Sequence, residues 1–292
     1  MSIRSSILAA AAAAALLAQA PAFAAASSSA SLSDFTITLM DLNLNDGIAP
    51  TITFGGLSFS YADAYSPMGV DAFSGFNVGT AAFDVSSGSA SSDLASAVAA
   101  STGGGSQVTY TGASTTLVGA LTASGQASGG VPDFNSASYA AQSYWNGDGS
   151  SAFTLSANTM VMFSAVGNVS AAVNHVYSGG MPYDFESSQG SVNLWVTGPS
   201  NGGGGIQLSA DSLEALVDNT TSFYADNQSR SLGVSFVNFS AADLEGQFFA
   251  SAAVRGLSFA AAVPEPESYA LMLAGLGALG FMSRRRKIAS KA

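Results

Sequence analysis

The chain has 292 residues, no cysteine and a formal net charge of −11, with 48 % hydrophobic but only 9 % charged residues, against roughly 25 % charged in ordinary soluble domains. Lack of cysteine excludes a disulfide framework, a thiolate zinc site and a cysteine nucleophile. Between Ser27 and Ala262 the only basic residues are Arg230 and Arg255, against 17 acids (19 in all, less Glu265 and Glu267), so this stretch carries about −15 and no lysine. Such a surface repels phosphate backbones and argues against nucleic acid as a partner.

Residues 1–24 have the layout of a secretory signal peptide: Arg4 in the n-region, an apolar stretch from Ile7 to Ala18, then Ala22-Phe23-Ala24. The small residues Ala22 and Ala24 predict a cut ahead of Ala25. Export then delivers a body of residues 25–262.

That body predicts strand after strand. Phe35, Ile37 and Leu39 alternate with threonines, Leu42 and Leu44 continue after a shift at Met40, and Asn45-Asp46-Gly47 supplies a turn. The shift predicts a bulge. Further strands are expected over Thr51–Phe54, Leu57–Tyr61, Phe76–Val85, Gln107–Thr111, Thr116–Ala123, Ala152–Leu155, Met160–Val166, Val192–Thr197, Leu232–Phe239 and Gln247–Phe259. Asp93–Ala100 reads as a helix, and Ala210–Asp218 fits a helix or a strand. Polar Gly/Ser stretches at 86–92, 101–106, 124–130 and 198–205 read as loops. The pattern predicts an all-β fold, an antiparallel β-sandwich of jelly-roll kind.

The chemistry-bearing residues are few. His175 is the only histidine, which excludes two-histidine metal sites. Gly198-Pro199-Ser200-Asn201-Gly202 matches G-x-S-x-G, but glycines at 202–205 leave no helix for a nucleophile elbow, so a hairpin loop is expected. Asp184 and Glu186 are the one close acid pair considered for glycoside hydrolysis. Asp41–Gly47 fits a calcium loop poorly, with glycine one place late and Ile52 where glutamate belongs. Loose calcium binding by turns at Asp46, Asp148, Asp184 and Glu186 is the only cofactor expectation. Trp145 and Trp195, with Tyr144, Tyr177 and Tyr183, fit either core packing or a sugar-stacking platform. No catalytic set emerges, so no enzyme is expected.

The C-terminus runs Val263-Pro264-Glu265-Pro266-Glu267-Ser268, then Tyr269 to Met282 without a charge, then Arg284-Arg285-Arg286-Lys287. Both prolines hold the first segment extended, and the basic cluster keeps its end cytoplasmic while the body faces out. Fourteen residues span about 21 Å as a helix, short of the roughly 30 Å hydrocarbon core, a gap that snorkelling arginines and local thinning offset. Gly275–Gly280 also matches G-x-G-x-x-G, but no βαβ unit or later acid accompanies it.

A Pro-Glu-Pro motif, one hydrophobic helix and a terminal arginine cluster, in that order, resemble the PEP-CTERM sorting domain. The resemblance is confined to Val263–Lys287. It implies passage through the export translocon, a transient stay in the inner membrane, processing by an exosortase, and a final place at the cell surface or in the extracellular matrix. In that reading Val263, Pro264, Glu265 and Pro266 are the sorting motif, 269–282 the membrane helix, and Arg284, Arg285, Arg286 and Lys287 the stop signal, within a tail of residues 263–292. It also implies a biofilm setting, with exopolysaccharide as partner. The expected role is therefore structural or adhesive; a lectin-like carbohydrate-binding module, aided by calcium, is the alternative, and a secreted hydrolase a distant one.

Overall fold

The computed structural model describes residues 25–259, apart from 56–57, 66–71, 79–82, 93, 103–108, 113, 117–118, 129–135, 146–151, 175–185, 201–204, 219–222 and the side chains of 72–78, 114–116, 152 and 259. The expected signal peptide and the expected C-terminal helix over 269–282 lie outside these residues. Among those described, every regular element is a strand: β1 (Ala25–Asp41), β2 (Thr51–Phe54), β3 (Ser58–Tyr65), β4 (Ala72–Val78), β5 (Ser86–Ser91), β6 (Ala95–Thr102), β7 (Thr109–Thr111), β8 (Ser114–Thr116), β9 (Ala120–Ser128), β10 (Ser136–Trp145), β11 (Ala152–Leu155), β12 (Thr159–Val173), β13 (Glu186–Pro199), β14 (Ile206–Val217), β15 (Ala225–Asn238) and β16 (Leu244–Phe259).

They form two antiparallel sheets packed as a sandwich. The first runs β15-β12-β1-β9-β6-β5, with β8 also on β1. In the second, β16 pairs with β10 and then β11 along one edge and with β13 along the other, and β13 carries β14. Beyond β10 and β11 lie β3 and β2, then β4 and β7.

Alternation decides which side chains enter the core. In β1, Ala26, Ala30 and Leu32 are buried while Ser27, Ser29, Ser31 and Ser33 face out. The expected face switch at Met40 occurs instead at Asp34: the register slips between Ser33 and Thr36, and Asp34 takes a left-handed φ of 52°, a conformation that a short polar side chain tolerates. Past this bulge Leu39 is buried, whereas Leu42 and Leu44 leave the strand and are exposed.

One expectation of helix fails, and the segment that fitted either a helix or a strand is a strand. The segment read as Asp93–Ala100 is strand β6, with Ala95, Ala97 and Ala99 inward and Ser96 and Ala100 outward. Ala210–Val217 belongs to β14, where Leu213, Ala215 and Val217 are buried and Leu216 is exposed. Alanine favours helix, but sheet pairing on both flanks of β6 prevails. Two expected loops are strands as well: Ser86–Ser91 is β5, and β9 runs on to Ser128.

The core is a wedge. One end holds Phe35, Phe54, Phe83, Tyr110, Trp145, Phe153, Phe163, Phe236 and Phe248, with ring centroids as near as 4.3 Å between Phe163 and Phe248. The other end is lined by Ala26, Ala30, Ala97, Ala127, Ala137 and Ala171. There the sheets draw together: a Cβ on Gly190 would lie 2.5 Å from the Ser29 carbonyl oxygen. Tyr139 reaches into this thin end, and its hydroxyl bonds Ser28 Oγ across the sandwich at 2.7 Å.

Both ends of the domain lie at the thin end. Ala25 pairs with Ser128, Ser136 pairs with Phe259, and only residues 129–135 separate Ser128 from Ser136. The opposite, aromatic end exposes Met40, Leu42, Leu44, Ile48 and Phe239. A third feature is the edge where β14 faces β15. The amides of Gly233, Ser235 and Val237 donate to Asp211 Oδ2 at 3.0 Å, Ser209 Oγ at 3.3 Å and Gln207 Oε1 at 3.2 Å, and Gln207 Nε2 donates to the Val237 carbonyl at 2.8 Å.

Candidate functional site

The two outer faces differ in chemistry. Along β1, β9, β12 and β15 the first sheet presents Ser27, Ser29, Ser31, Thr122, Ser124, Gln126, Asn168, Ser170, Asn227 and Ser229. Apart from Asp34 in the bulge, the described outward positions of this sheet carry no charge, and hydroxyls bond across strands, as in Ser29 to Ser170 at 2.7 Å. The face is uncharged, a mixture of hydroxyls and amides with the exposed apolar side chains of Met40, Val98 and Met162, on a strongly acidic protein.

The second sheet's outer face carries a ladder of rings crossing four strands: Phe59 on β3, Tyr144 on β10, Phe249 on β16 and Trp195 on β13. Phe59 and Tyr144 stack at 5.3 Å with planes 7° apart, Tyr144 and Phe249 stand 5.7 Å and 33° apart, and Phe249 and Trp195 5.5 Å and 24° apart. The near-parallel planes mean that the inner rings cover each other's faces and show their edges to solvent. Offset stacks of this kind hold neighbouring strands together. Ser251, on the same outer face and paired with both Tyr144 and Asn193, is buried beneath this row, and its hydroxyl has no partner.

The residues singled out in the sequence divide between the core, the outer face and segments outside the described residues. Trp145 is wholly buried and donates from Nε1 to Ser101 Oγ at 2.7 Å, so it is core. Trp195 and Tyr144 are on the outer face, while Tyr177 and Tyr183 fall outside the described residues. Phe59 and Phe249, which complete the ladder, were missed; Phe248-Phe249 in a strand signals one ring in and one out, but only register shows what the outward ring meets. Gly198 and Pro199 end β13, which pairs with β14, and the Ser200 amide donates to the Gly205 carbonyl at 2.8 Å, while Asn201 and Gly202 lie outside the described residues. His175 and Asp184 lie outside the described residues. Glu186 opens β13, is buried, and accepts from Ser258 Oγ at 3.4 Å.

The Asp41–Gly47 turn uses its oxygens internally. Asp41 Oδ1 accepts the Asn43 amide, Asp46 Oδ1 the Ile48 amide and Asp46 Oδ2 the Asn158 side chain, each at 2.8 Å. The Ile48 amide, and then Asn158, hold the Asp46 carboxyl below its ordinary value. Asp148 is not among the described residues, and those described contain no cluster of three or more His, Asp or Glu arranged to hold a metal ion.

At the two processing ends, Ala22, Ala24 and the tail from Val263 to Lys287 are outside the described residues. The expected cut ahead of Ala25 coincides with the first residue of β1, whose backbone nitrogen donates to Asn174 Oδ1 at 2.7 Å. Strand β16 ends at Phe259, four residues before Val263, so the sorting segment follows the last strand closely in sequence.

Comparison with curated proteins and with solved structures returns no match. The family model of the PEP-CTERM protein-sorting motif matches residues 262–287. That match falls on the Pro-Glu-Pro segment, apolar stretch and arginine cluster together, and the chain therefore carries a PEP-CTERM sorting motif, which supports an exported protein processed at the membrane by an exosortase.

Proposed function

We propose that this exported protein is a structural or adhesive component of an exopolysaccharide matrix, retained at the cell surface or in the matrix once its tail is removed. The observation that carries this reading is the broad uncharged face of the first sheet, with serine, threonine, asparagine and glutamine at neighbouring outward positions. Polysaccharide hydroxyls exchange hydrogen bonds with such groups as readily as water does, and no charge on the face must be stripped of water first. The reading assigns no catalysis. A lectin-like role is the second reading, favoured by the partly exposed Trp195 on the other face.

Deleting the gene in the producing bacterium tests the role. Loss of matrix cohesion and surface attachment, restored by the full-length gene, is expected. Unchanged cohesion and attachment in the deletion strain would overturn it. The mass of the protein from wild-type cells reports processing alongside: it lacks Arg284–Lys291 if the tail is cut, and retains them in a strain without exosortase.

A further inference from the structure

The ladder ends at Trp195, and its last ring is unlike the others. Phe249 covers one face of the indole. The other face lies on the β14 side, where the direct cross-strand partner is Ala210. Alanine is too short to cover an indole, and Ala210 is itself exposed. The next rungs on either side are Asn193 with Ser212 and Thr197 with Leu208. The result is one flat aromatic face bordered by the Asn193 amide, the Ser212 hydroxyl and the Thr197 hydroxyl, which donates to the Gln207 carbonyl at 2.9 Å and keeps lone pairs to accept with, with an exposed leucine beyond.

We propose that this bay, formed by Trp195 over Ala210, binds a neutral pyranose unit of a polysaccharide chain, stacked on the indole and held at its rim by Asn193, Ser212 and Thr197. The proposal rests on the exopolysaccharide reading above and names its contact site. The axial C–H face of a pyranose is apolar and slightly positive, which suits the negative face of an aromatic ring. Equatorial hydroxyls at the sugar's edge match a rim of hydrogen-bonding groups, the usual arrangement of a small-molecule site. Charge selects the class of sugar. None of the six bay residues is charged, and the protein around them is strongly acidic, so uronate or sulfated chains are repelled while neutral chains are not. A sugar rich in equatorial hydroxyls, as in a β-linked glucan, leaves its C–H face open for stacking.

The test uses the processed protein purified from producing cells, with Ala210→Leu and Trp195→Leu variants. Leucine at 210 fills the bay from an exposed strand position; leucine at 195 keeps apolar bulk but removes the ring face. Co-sedimentation is measured with cellulose, chitin and the producer's own exopolysaccharide, with alginate as the acidic probe. Trp195 emission, distinguishable because Trp145 is fully buried, is followed on adding cellohexaose. Wild type is expected to bind the producer's polysaccharide and a neutral probe but not alginate, with each variant about tenfold weaker and Ala210→Leu melting as wild type does. Undiminished binding in both variants would overturn the bay while leaving the matrix reading intact. Equal binding to alginate would overturn the neutral class. Failure of the wild type to bind any of these glycans, its own included, would remove both the site and the reading it rests on.

Discussion

Tyr139 offers the sharpest test of how the thin end of the sandwich is built. Its ring lies across Gly256, the direct neighbour in its own sheet, and against Gly125 of the facing sheet. A methyl on Gly125 would come within 2.1 Å of Cδ2, 2.6 Å of Cε2 and 2.8 Å of Cγ. The ring has no retreat, because on its other side a Gly256 Cβ position is already only 2.4 Å from Cε1 and Cζ. Gly125→Ala is therefore expected at the upper end of overpacking, about 3 kcal/mol. Tyr139→Leu removes the ring and leaves Ser28 Oγ without its 2.7 Å partner, at a cost of about 2–4 kcal/mol. In the double variant the alanine methyl enters space the ring has vacated, so the two costs should fall short of additive by about 1–3 kcal/mol. Urea denaturation of the four proteins, with unchanged slope, measures this coupling. Additivity within about 0.5 kcal/mol would refute the idea that Gly125 lacks a side chain to admit the ring.

Three further outcomes follow from the same geometry. Burial pushes the Tyr110 hydroxyl from its ordinary 10.0 up to about 12 and raises Tyr139 as well; a phenol harder to ionise when folded favours the folded state up to the unfolded value and loses that advantage as pH climbs toward the folded one. Stability should thus decline between about pH 10 and 12, and Tyr110→Phe should flatten the decline in alkaline melting curves. The Arg230 guanidinium, and then the Gly233 amide, hold the Asp211 carboxyl below 3.8, so its contribution is present above that value and lost as pH falls through the lowered one. Asp211→Asn should cost about 1 kcal/mol near neutrality, since the pair is partly solvated, and the difference from wild type should shrink in acid titrations. Ser251→Ala, which deletes a buried hydroxyl that has no partner, should be neutral or stabilising by up to about 1 kcal/mol in urea melts; a loss of that size would mean the hydroxyl is satisfied after all.

Strands whose alternation uses large apolar residues were legible to the residue: Thr51–Phe54 and Ala152–Leu155 have the expected bounds. Strands whose inward residue is alanine were not. In Ser86–Ser91 and the second half of β9 the period-two contrast is largely between alanine or glycine and serine or glutamine, too weak in hydrophobicity to distinguish from a flexible linker. Burial makes the contrast matter only once a second sheet stands close enough for a methyl to fill the gap. Leu213, Leu216 and Val217 line up on a helix as well as on paper, and only pairing with β13 places Leu216 outside. The sorting tail, by contrast, is a linear signal and needs no fold to be read. The aromatic ladder lies between these cases. Each ring was visible, but the neighbour of each is set by the strand order β3-β10-β16-β13, which brings together residues as distant as Phe59 and Trp195.

The edge between β14 and β15 bears on how such a protein survives export. An exported chain with no disulfide is held by its core alone and meets other copies of itself, and an open strand edge is a template for adding another strand. Here the row of edge amides on β15 at Gly233, Ser235 and Val237 is already bonded, not by another strand but by the side chains of Asp211, Ser209 and Gln207, which share their spacing of two. Arg230 fixes the arrangement from the side, its guanidinium bonded to both Asp211 oxygens and to the Ser212 carbonyl. Side chains satisfy the amides without offering a fresh backbone edge in return, which strand pairing cannot do. The residues that do this are polar and of unremarkable appearance in the sequence, yet they permit two long sheets to end at this border without a barrel's closure. The same logic explains why the acids here are on a strand rather than a loop: a carboxylate at Asp211 is needed to accept from an amide and a guanidinium at once, and only a fixed strand register holds it opposite Gly233.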